Sequence, residues 1–259
     1  MAPSPEAAIV LARRVERAFG KQLERARAAR GTGAPAIEVA GGLSVCHGPR
    51  SPFSAAVGVG LGVPVTDGDV DRIEAHLGLG GGPVRIELSP WTDPSLAEEL
   101  GRRGFQLERF LQVWVRPPDA FPAEADVRIA SGPDEVSWVE VFSRSFLGEA
   151  TRSDEQREAL RCMARAEGNV PWLLLDGGAP AGVALSSAEE GVAWLSGAGI
   201  LPGHRGRGLQ GALVRARLSW AASVGCDLAA SATEPGTASQ RTLEGCGFRV
   251  AYPKAILVH

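Results

Sequence analysis

From Pro5 to Arg30 the residues Ile9, Val10, Ala12, Val15, Ala18, Phe19 and Leu23 recur at helical spacing among Arg and Glu, which predicts an amphipathic helix packed on its own domain. The period then shortens. Ala36–Ala40, Leu43–Cys46 and Ala55–Leu61 read as short strands, Asp69–Leu77 as a helix with acidic residues in its first turn, Val84–Leu88 as a strand, Asp93–Arg103 as a helix and Phe105–Val115 as a long strand. Three prolines within Arg116–Pro122 interrupt any regular element, because each lacks a donor and fixes its φ. A domain boundary is expected there.

Beyond it the pattern gives a strand over Asp126–Ala130 and a helix over Pro133–Phe146. A second helix follows over Ser153–Glu167, with Ser153 as N-cap and Gln156 in the capping-box position. Three strands follow closely, Pro171–Leu175, Ala181–Ser186 and Val192–Ile200, the first two joined by the hairpin signal Asp176-Gly177-Gly178. Leu209, Ala212, Leu213, Ala216 and Trp220 then line one helix face, before a strand at Asp227–Ser231, a helix at Thr237–Glu244 and a strand from Phe248. The order βααβββαβαβ describes an α/β sandwich with mixed strand directions.

The two halves share landmarks. Leu100, Gly104-Phe105 and Val113-Trp114-Val115 superpose on Leu243, Gly247-Phe248 and Ile256-Leu257-Val258 at a constant offset of 143 residues. A Gly-Phe pair after a helix is by itself a common C-cap with a buried aromatic. The matching element order favours duplication.

Composition narrows the classes. With 44% hydrophobic residues over 259 positions, the chain suits a packed core of one large or two ordinary domains. Acidic and basic residues number 30 and 27, so no overall positive field draws in nucleic acid or an anionic membrane, and any anion site has to be local. Cys46, Cys162, Cys226 and Cys246 form no CxxC pair and have no histidines at metal-ligand spacing, which reads as buried free thiols in a reducing cytosol and no metal site. Neither a signal-peptide core nor a run near the ~20 apolar residues of a membrane span occurs, so the expected location is cytoplasmic.

One such local site stands out. The strand ending at Ile200 runs into Pro202-Gly203-His204-Arg205-Gly206-Arg207-Gly208 and directly into a helix. Successive N–H groups of a glycine turn can converge on one concavity, and the helix adds about half a positive charge at its N-terminus. Gly206 and Gly208 permit close backbone approach, and Arg205 and Arg207 supply charge, which together describe a phosphate site. The corresponding loop of the first half carries Asp67, Asp69 and Asp71, which would repel a phosphate. The P-loop pattern GxxxxGK[ST] is absent, and the dinucleotide fingerprint is not matched.

The stretch Val192–Phe248 resembles the cofactor-binding core of the GNAT superfamily, the acyl-CoA-dependent N-acyltransferases. The signature Q/R-x-x-G-x-G/A aligns with Arg205-Gly206-Arg207-Gly208-Leu209-Gln210, departing at Gln210, with Gly211 next. The side chain of Gln210 must therefore turn aside or donate to the phosphate. The resemblance covers residues 126–258 well and the N-terminal half as a degenerate half-copy. It implies a GNAT-like mixed β-sheet flanked by helices, in two lobes: a degenerate domain at 1–116, a Pro-rich linker at 117–125 and a catalytic domain at 126–259.

The resemblance further implies acetyl-CoA, or another acyl-CoA, as co-substrate. Arg205 and Arg207 would hold the pyrophosphate, with Gly206, Gly208 and the neighbouring amides of Leu209, Gln210 and Gly211 cradling it. The edge Ala198-Gly199-Ile200 would bond the pantetheine arm, one of its amides polarising the thioester carbonyl, and Ser239 would touch the cofactor. Where many members carry a tyrosine acid this chain has Leu243, and where they carry an asparagine it has Gly236. The chain's only tyrosine, Tyr252, stands as a substitute acid or as a packed amphipathic aromatic. No carboxylate lies within Val192–Ile200, and Glu189 and Glu190 read as exposed turn residues. The loop Ser145–Arg152, with Phe142, Phe146 and Leu147 apolar and Glu149 facing a cationic amine, is the acceptor candidate or an ordinary connection.

The preferred expectation is thus N-acetyl transfer by direct attack of a small-molecule or peptide amine. No base-paired cysteine favours a covalent intermediate. The alternatives are a non-catalytic acyl-CoA-binding sensor or interaction module and, less favoured, an enzyme using another phosphorylated ligand. The N-terminal half is a second lobe over the cleft or a dimer surface, so a homodimer is one assembly this reading allows.

Overall fold

The computed structural model describes residues 4–48, 51–147 and 153–259. In chain order the elements are α1 (Pro5–Arg30), β1 (Ile37–Val39), β2 (Gly42–Val45), β3 (Ala55–Val57), α2 (Asp67–Gly78), β4 (Arg85–Leu88), α3 (Pro94–Arg102) and β5 (Gln106–Arg116). They continue with β6 (Asp126–Ile129), α4 (Asp134–Leu147), α5 (Asp154–Arg165), β7 (Asn169–Asp176), β8 (Ala179–Glu189), β9 (Val192–Ile200), α6 (Leu209–Ser223), β10 (Leu228–Thr233), α7 (Ala238–Gly245) and β11 (Arg249–Val258). The chain divides into two compact units, residues 1–113 with 233–235 and 250–259, and residues 114–232 with 236–249.

That division differs from the one the prolines suggest. It falls inside β5, between Val113 and Trp114, rather than at 117–125, and most of β11 counts with the first unit. The reason is strand pairing: β11 runs antiparallel to β4, with Ala255 opposite Leu88 and Val258 opposite Arg85. A proline run marks where a strand must stop, not which sheet the later strands join.

In the first unit β1–β2 and β2–β3 are antiparallel, and β3–β4 is parallel through Ala56 and Ile86. Leu23 on α1 packs with Val45, Ala55 and Val57, and Phe19 and Leu43 lie against them. Another cluster joins Val70, Ile73 and Leu77 of α2 and Leu96 and Leu100 of α3 to Val39, Ala56 and Ile86. Caps set the helix starts. Ser4 accepts from the Ala7 amide to begin α1, Thr66 and Asp69 form a capping box on α2, and Asp93 accepts from the Ser95 amide on α3. The acidic loop has a structural use: Arg103 donates to Asp71 Oδ1 (2.7 Å), to the Asp67 carbonyl (3.0 Å), and to the carboxylates of Asp67 and Glu74.

In the first unit, too, His47 is 4% exposed and donates its backbone amide to Ser54 Oγ (3.0 Å). Burial, with Arg30 and Arg27 nearby, lowers its pKa from 6.5 to about 4. The unfolded chain therefore binds this proton more tightly, so stability is full above pH 6.5 and falls as pH drops toward 4. The expected loss is about 3 kcal/mol. Urea unfolding across that window checks it, and His47→Gln should flatten the slope.

The second unit repeats the pairings: β7–β8 and β8–β9 antiparallel, β9–β10 parallel, with β6 antiparallel outside β7. Trp114, Leu195, Val214, Leu218, Ala229, Leu243 and Phe248 form one cluster under α6 and α7. Trp138 of α4 is fully buried and donates Nε1–H to the Ala184 carbonyl of β8 (3.1 Å). Ser153 and Gln156 form the capping box of α5. All four cysteines are free thiols, but Cys162 is half-buried where burial was expected of all four, because α5 turns it toward Glu158. Among the described residues no helix is long and apolar enough to cross a membrane.

Candidate active site

Two backbone irregularities shape the second unit's cleft. Pairing of β8 with β9 shifts register between Val183 opposite Gly199 and Leu185 opposite Ser196, and Gly197 stands there with φ +57°. An extra residue on one strand bends it and sharpens its twist. Glycine is required twice over, since a Cβ at position 197 would also lie 2.9 Å from Phe142 Cε2. On its other side β9 pairs with β10 only over Val192–Trp194 opposite Leu228–Ala230. Its remaining residues run on to Ile200, and the last three, Ala198, Gly199 and Ile200, line a cavity of about 590 Å³.

The opposite wall is the start of α6. Gly206 and Gly208 both have φ +76°, and a Cβ on either would meet nothing within 4 Å, so the demand is conformational. For other residues that conformation costs roughly 1–2 kcal/mol. Gly208 is the N-cap and offers no side-chain acceptor. The first intrahelical bond is Ala212 N–H to the Gly208 carbonyl (3.2 Å), so the amides of Leu209, Gln210 and Gly211 precede it, and all three residues line the cavity.

The structure brings Ala198, Gly199, Ile200, Arg205, Gly206, Gly208, Leu209, Gln210, Gly211 and Ser239 together around this one cavity. Arg205 ties its walls, donating Nε–H to the Ile200 carbonyl (3.1 Å) and Nη2–H to the Ser145 carbonyl (3.2 Å). Gln210 turns aside and donates to Ser239 Oγ (3.2 Å). Arg241 and Thr242 also line the cavity and were not read from the sequence. Their signal was available: Thr237 caps α7, and positions 238, 241 and 242 then share one face.

Two residues stand elsewhere. Arg207 is not in the lining; its guanidinium pairs with Asp176, Nη2 donating to Oδ1 (3.1 Å). His204 Nδ1 shares that carboxylate (2.7 Å), and the His204 hydrogen bond, with Arg207 beside it, holds Asp176 below the usual carboxylate range. The Asp-Gly-Gly hairpin read as a turn thus also supplies an acid. Tyr252 belongs to the first unit, is 2% exposed and donates to Glu16 Oε1 (2.8 Å). Burial, reinforced by Glu16, pushes its pKa well above the ordinary value. It is the packed aromatic, not an acid of this cavity. Leu243 is buried in the core, Glu190 is exposed in the β8–β9 turn, and Glu149 lies outside the described residues.

The acetyltransferase (GNAT) family model matches residues 136–248. Residues 136–248 belong to the GNAT family.

The match holds every residue that lines the cavity. Among solved structures, a GCN5-related N-acetyltransferase from Kribbella flavida superposes with a TM-score of 0.69 at 19% identity, over 96% of this chain and 95% of that one. A functionally unknown conserved protein from Staphylococcus epidermidis gives 0.60 at 12%, over 86% and 92%. A GCN5-related N-acetyltransferase from Sphaerobacter thermophilus gives 0.52 at 20%, over 69% and 59%. These likenesses show that the GNAT domain and the rest of the chain share an α/β fold with such proteins. A comparison with curated proteins returns no match.

Proposed function

We propose that the protein is an acyl-CoA-dependent N-acyltransferase, most simply an N-acetyltransferase, acting on a small-molecule or peptide amine by direct attack. The observation that carries this is the single cavity joining the open end of β9 to the uncapped start of α6. The three amides ahead of the first helical bond of α6, with Arg205 and Arg241, suit a diphosphate at one end. The unpaired strand end suits an amide-bearing arm at the other. The residues present therefore fit acyl-CoA.

Bound acyl-CoA supplies an activated thioester. The amides of α6 and Arg205 hold its anionic end, and the backbone of Ala198–Ile200 aligns the arm. A backbone N–H at the end of β9 stabilises the negative charge that develops on the carbonyl oxygen. The amine nitrogen bonds to the carbonyl carbon as the carbon–sulfur bond breaks; one proton leaves nitrogen and one ends on the released thiol. Among the described lining residues there is no Asp or Glu, so water carries these protons in this reading.

Calorimetry with acetyl-CoA tests the assignment. Wild type is expected to bind, Arg205→Ala to bind at least ~10-fold more weakly, and Arg207→Ala, whose partner is Asp176, to change affinity less than ~3-fold. Absence of wild-type binding overturns the reading. The sensor alternative differs in one outcome, binding without thiol release in the presence of a broad amine panel.

A further inference from the structure

Arg217 is the least expected residue of the second unit. It lies on the buried face of α6, one turn after Leu213 and one before Ala221, where both neighbours are fully buried and apolar. The residue is itself 2% exposed. Its guanidinium reaches only carbonyls: Nε donates to Leu213 O (3.1 Å), and Nη1 to Leu185 O (3.5 Å) and Ser196 O (3.3 Å). Among the described residues no carboxylate pairs with it, and the one nearby titratable group, Cys246, is a thiol that burial keeps protonated. Desolvation lowers the arginine's pKa to about 10, which still leaves it cationic at neutral pH.

A leucine or methionine would fill such a place without the desolvation cost of an unpaired charge. Two features say what the cation does there. Leu185 and Ser196 are the pair at which the β8–β9 register shifts, so Nη1 bridges the two strands at the bulge. Immediately beyond Ser196 comes Gly197 and then Ala198–Ile200, the backbone edge of the cavity.

We infer that Arg217 is a positioning residue for acyl transfer: bridging Leu185 and Ser196, it fixes the bulge that presents the end of β9 to the thioester, and it places a fixed positive charge behind that edge. Charge held in a dry interior acts over the few residues to the cavity with little screening. Its direction favours the negative charge that develops on the acyl oxygen. The inference rests on the acyltransferase reading.

The test uses the full chain with acetyl-CoA labelled with carbon-13 at the acyl carbonyl, read by isotope-edited infrared spectroscopy. In wild type the bound carbonyl band is expected at lower frequency than the free one. In Arg217→Met the displacement should vanish while the calorimetric affinity for CoA stays within ~3-fold, because the anionic end is held by α6 and Arg205. A folded Arg217→Met variant that keeps the displacement, or loses CoA affinity along with it, overturns the inference. Should that variant lack a cooperative melt, Arg217→Gln, which keeps a neutral donor, is read by the same two outcomes. Failure of wild type to bind CoA at all overturns the acyltransferase reading instead.

Discussion

Replacing Lys254 by Met is expected to cost the protein about 3–5 kcal/mol of unfolding free energy, while Glu87→Gln should be neutral or stabilising at pH near 7. Lys254 is 2% exposed; its Nζ lies 3.2 and 3.1 Å from the two carboxylate oxygens of Glu16 and 2.5 Å from Glu87 Oε2. Two buried carboxylates thus share one ammonium. Removing the ammonium strands both, and the Tyr252 hydroxyl satisfies only one oxygen of Glu16.

Removing one carboxylate instead leaves a one-to-one pair. Desolvation, offset in part by Lys254, raises the Glu87 pKa above 4.5, so this group stabilises the fold only at low pH and opposes it as pH rises through the raised value. Glu87→Gln should therefore flatten that part of the stability profile. Chemical denaturation of both variants across pH decides it, and equal losses at pH near 7 would contradict the proposed charge balance.

Gly197→Val is expected to cost about 3 kcal/mol of stability and to abolish the lowered carbonyl frequency of bound acetyl-CoA. Both effects come from one place. A φ of +57° strains any β-branched residue. The added carbons would also press on Phe142, whose ring is packed between those of Trp138 and Phe146 at centroid distances of 5.0 and 4.6 Å. Relief requires either removing the bulge, which would pull the end of β9 back toward a regular ladder, or displacing α4 from β9. A variant that keeps the lowered carbonyl frequency of bound acetyl-CoA would show that the bulge is not what presents the end of β9.

Most of the second unit was readable because its signals are local. The capping pair Ser153/Gln156, the Asp-Gly-Gly hairpin and the glycine turn before α6 each act within a few residues, and the structure has them where the spacing puts them. Strand exchange left no such trace. Phe248 onward reads as the close of the second half, yet β11 pairs with β4, because nothing in a strand's alternation names its partner. Arg207 looked equivalent to Arg205, and only the fold brings Asp176 to it. Arg217 carries no local signal of its burial: a basic residue in a helix is normally at the surface, and only packing buries this one.

The closing strand also has a consequence for synthesis. The strand that pairs with β4, and the Lys254 amine on Glu16, both come from a segment more than 150 residues downstream of β4, after all of the second unit's helices. On the ribosome the first unit must therefore wait, holding a bare strand edge and a Glu16 carboxylate without its Lys254 partner, while the second unit has every element it needs close at hand. The order of folding would run against the order of translation, and the early half of the nascent chain is where chaperone dependence would concentrate.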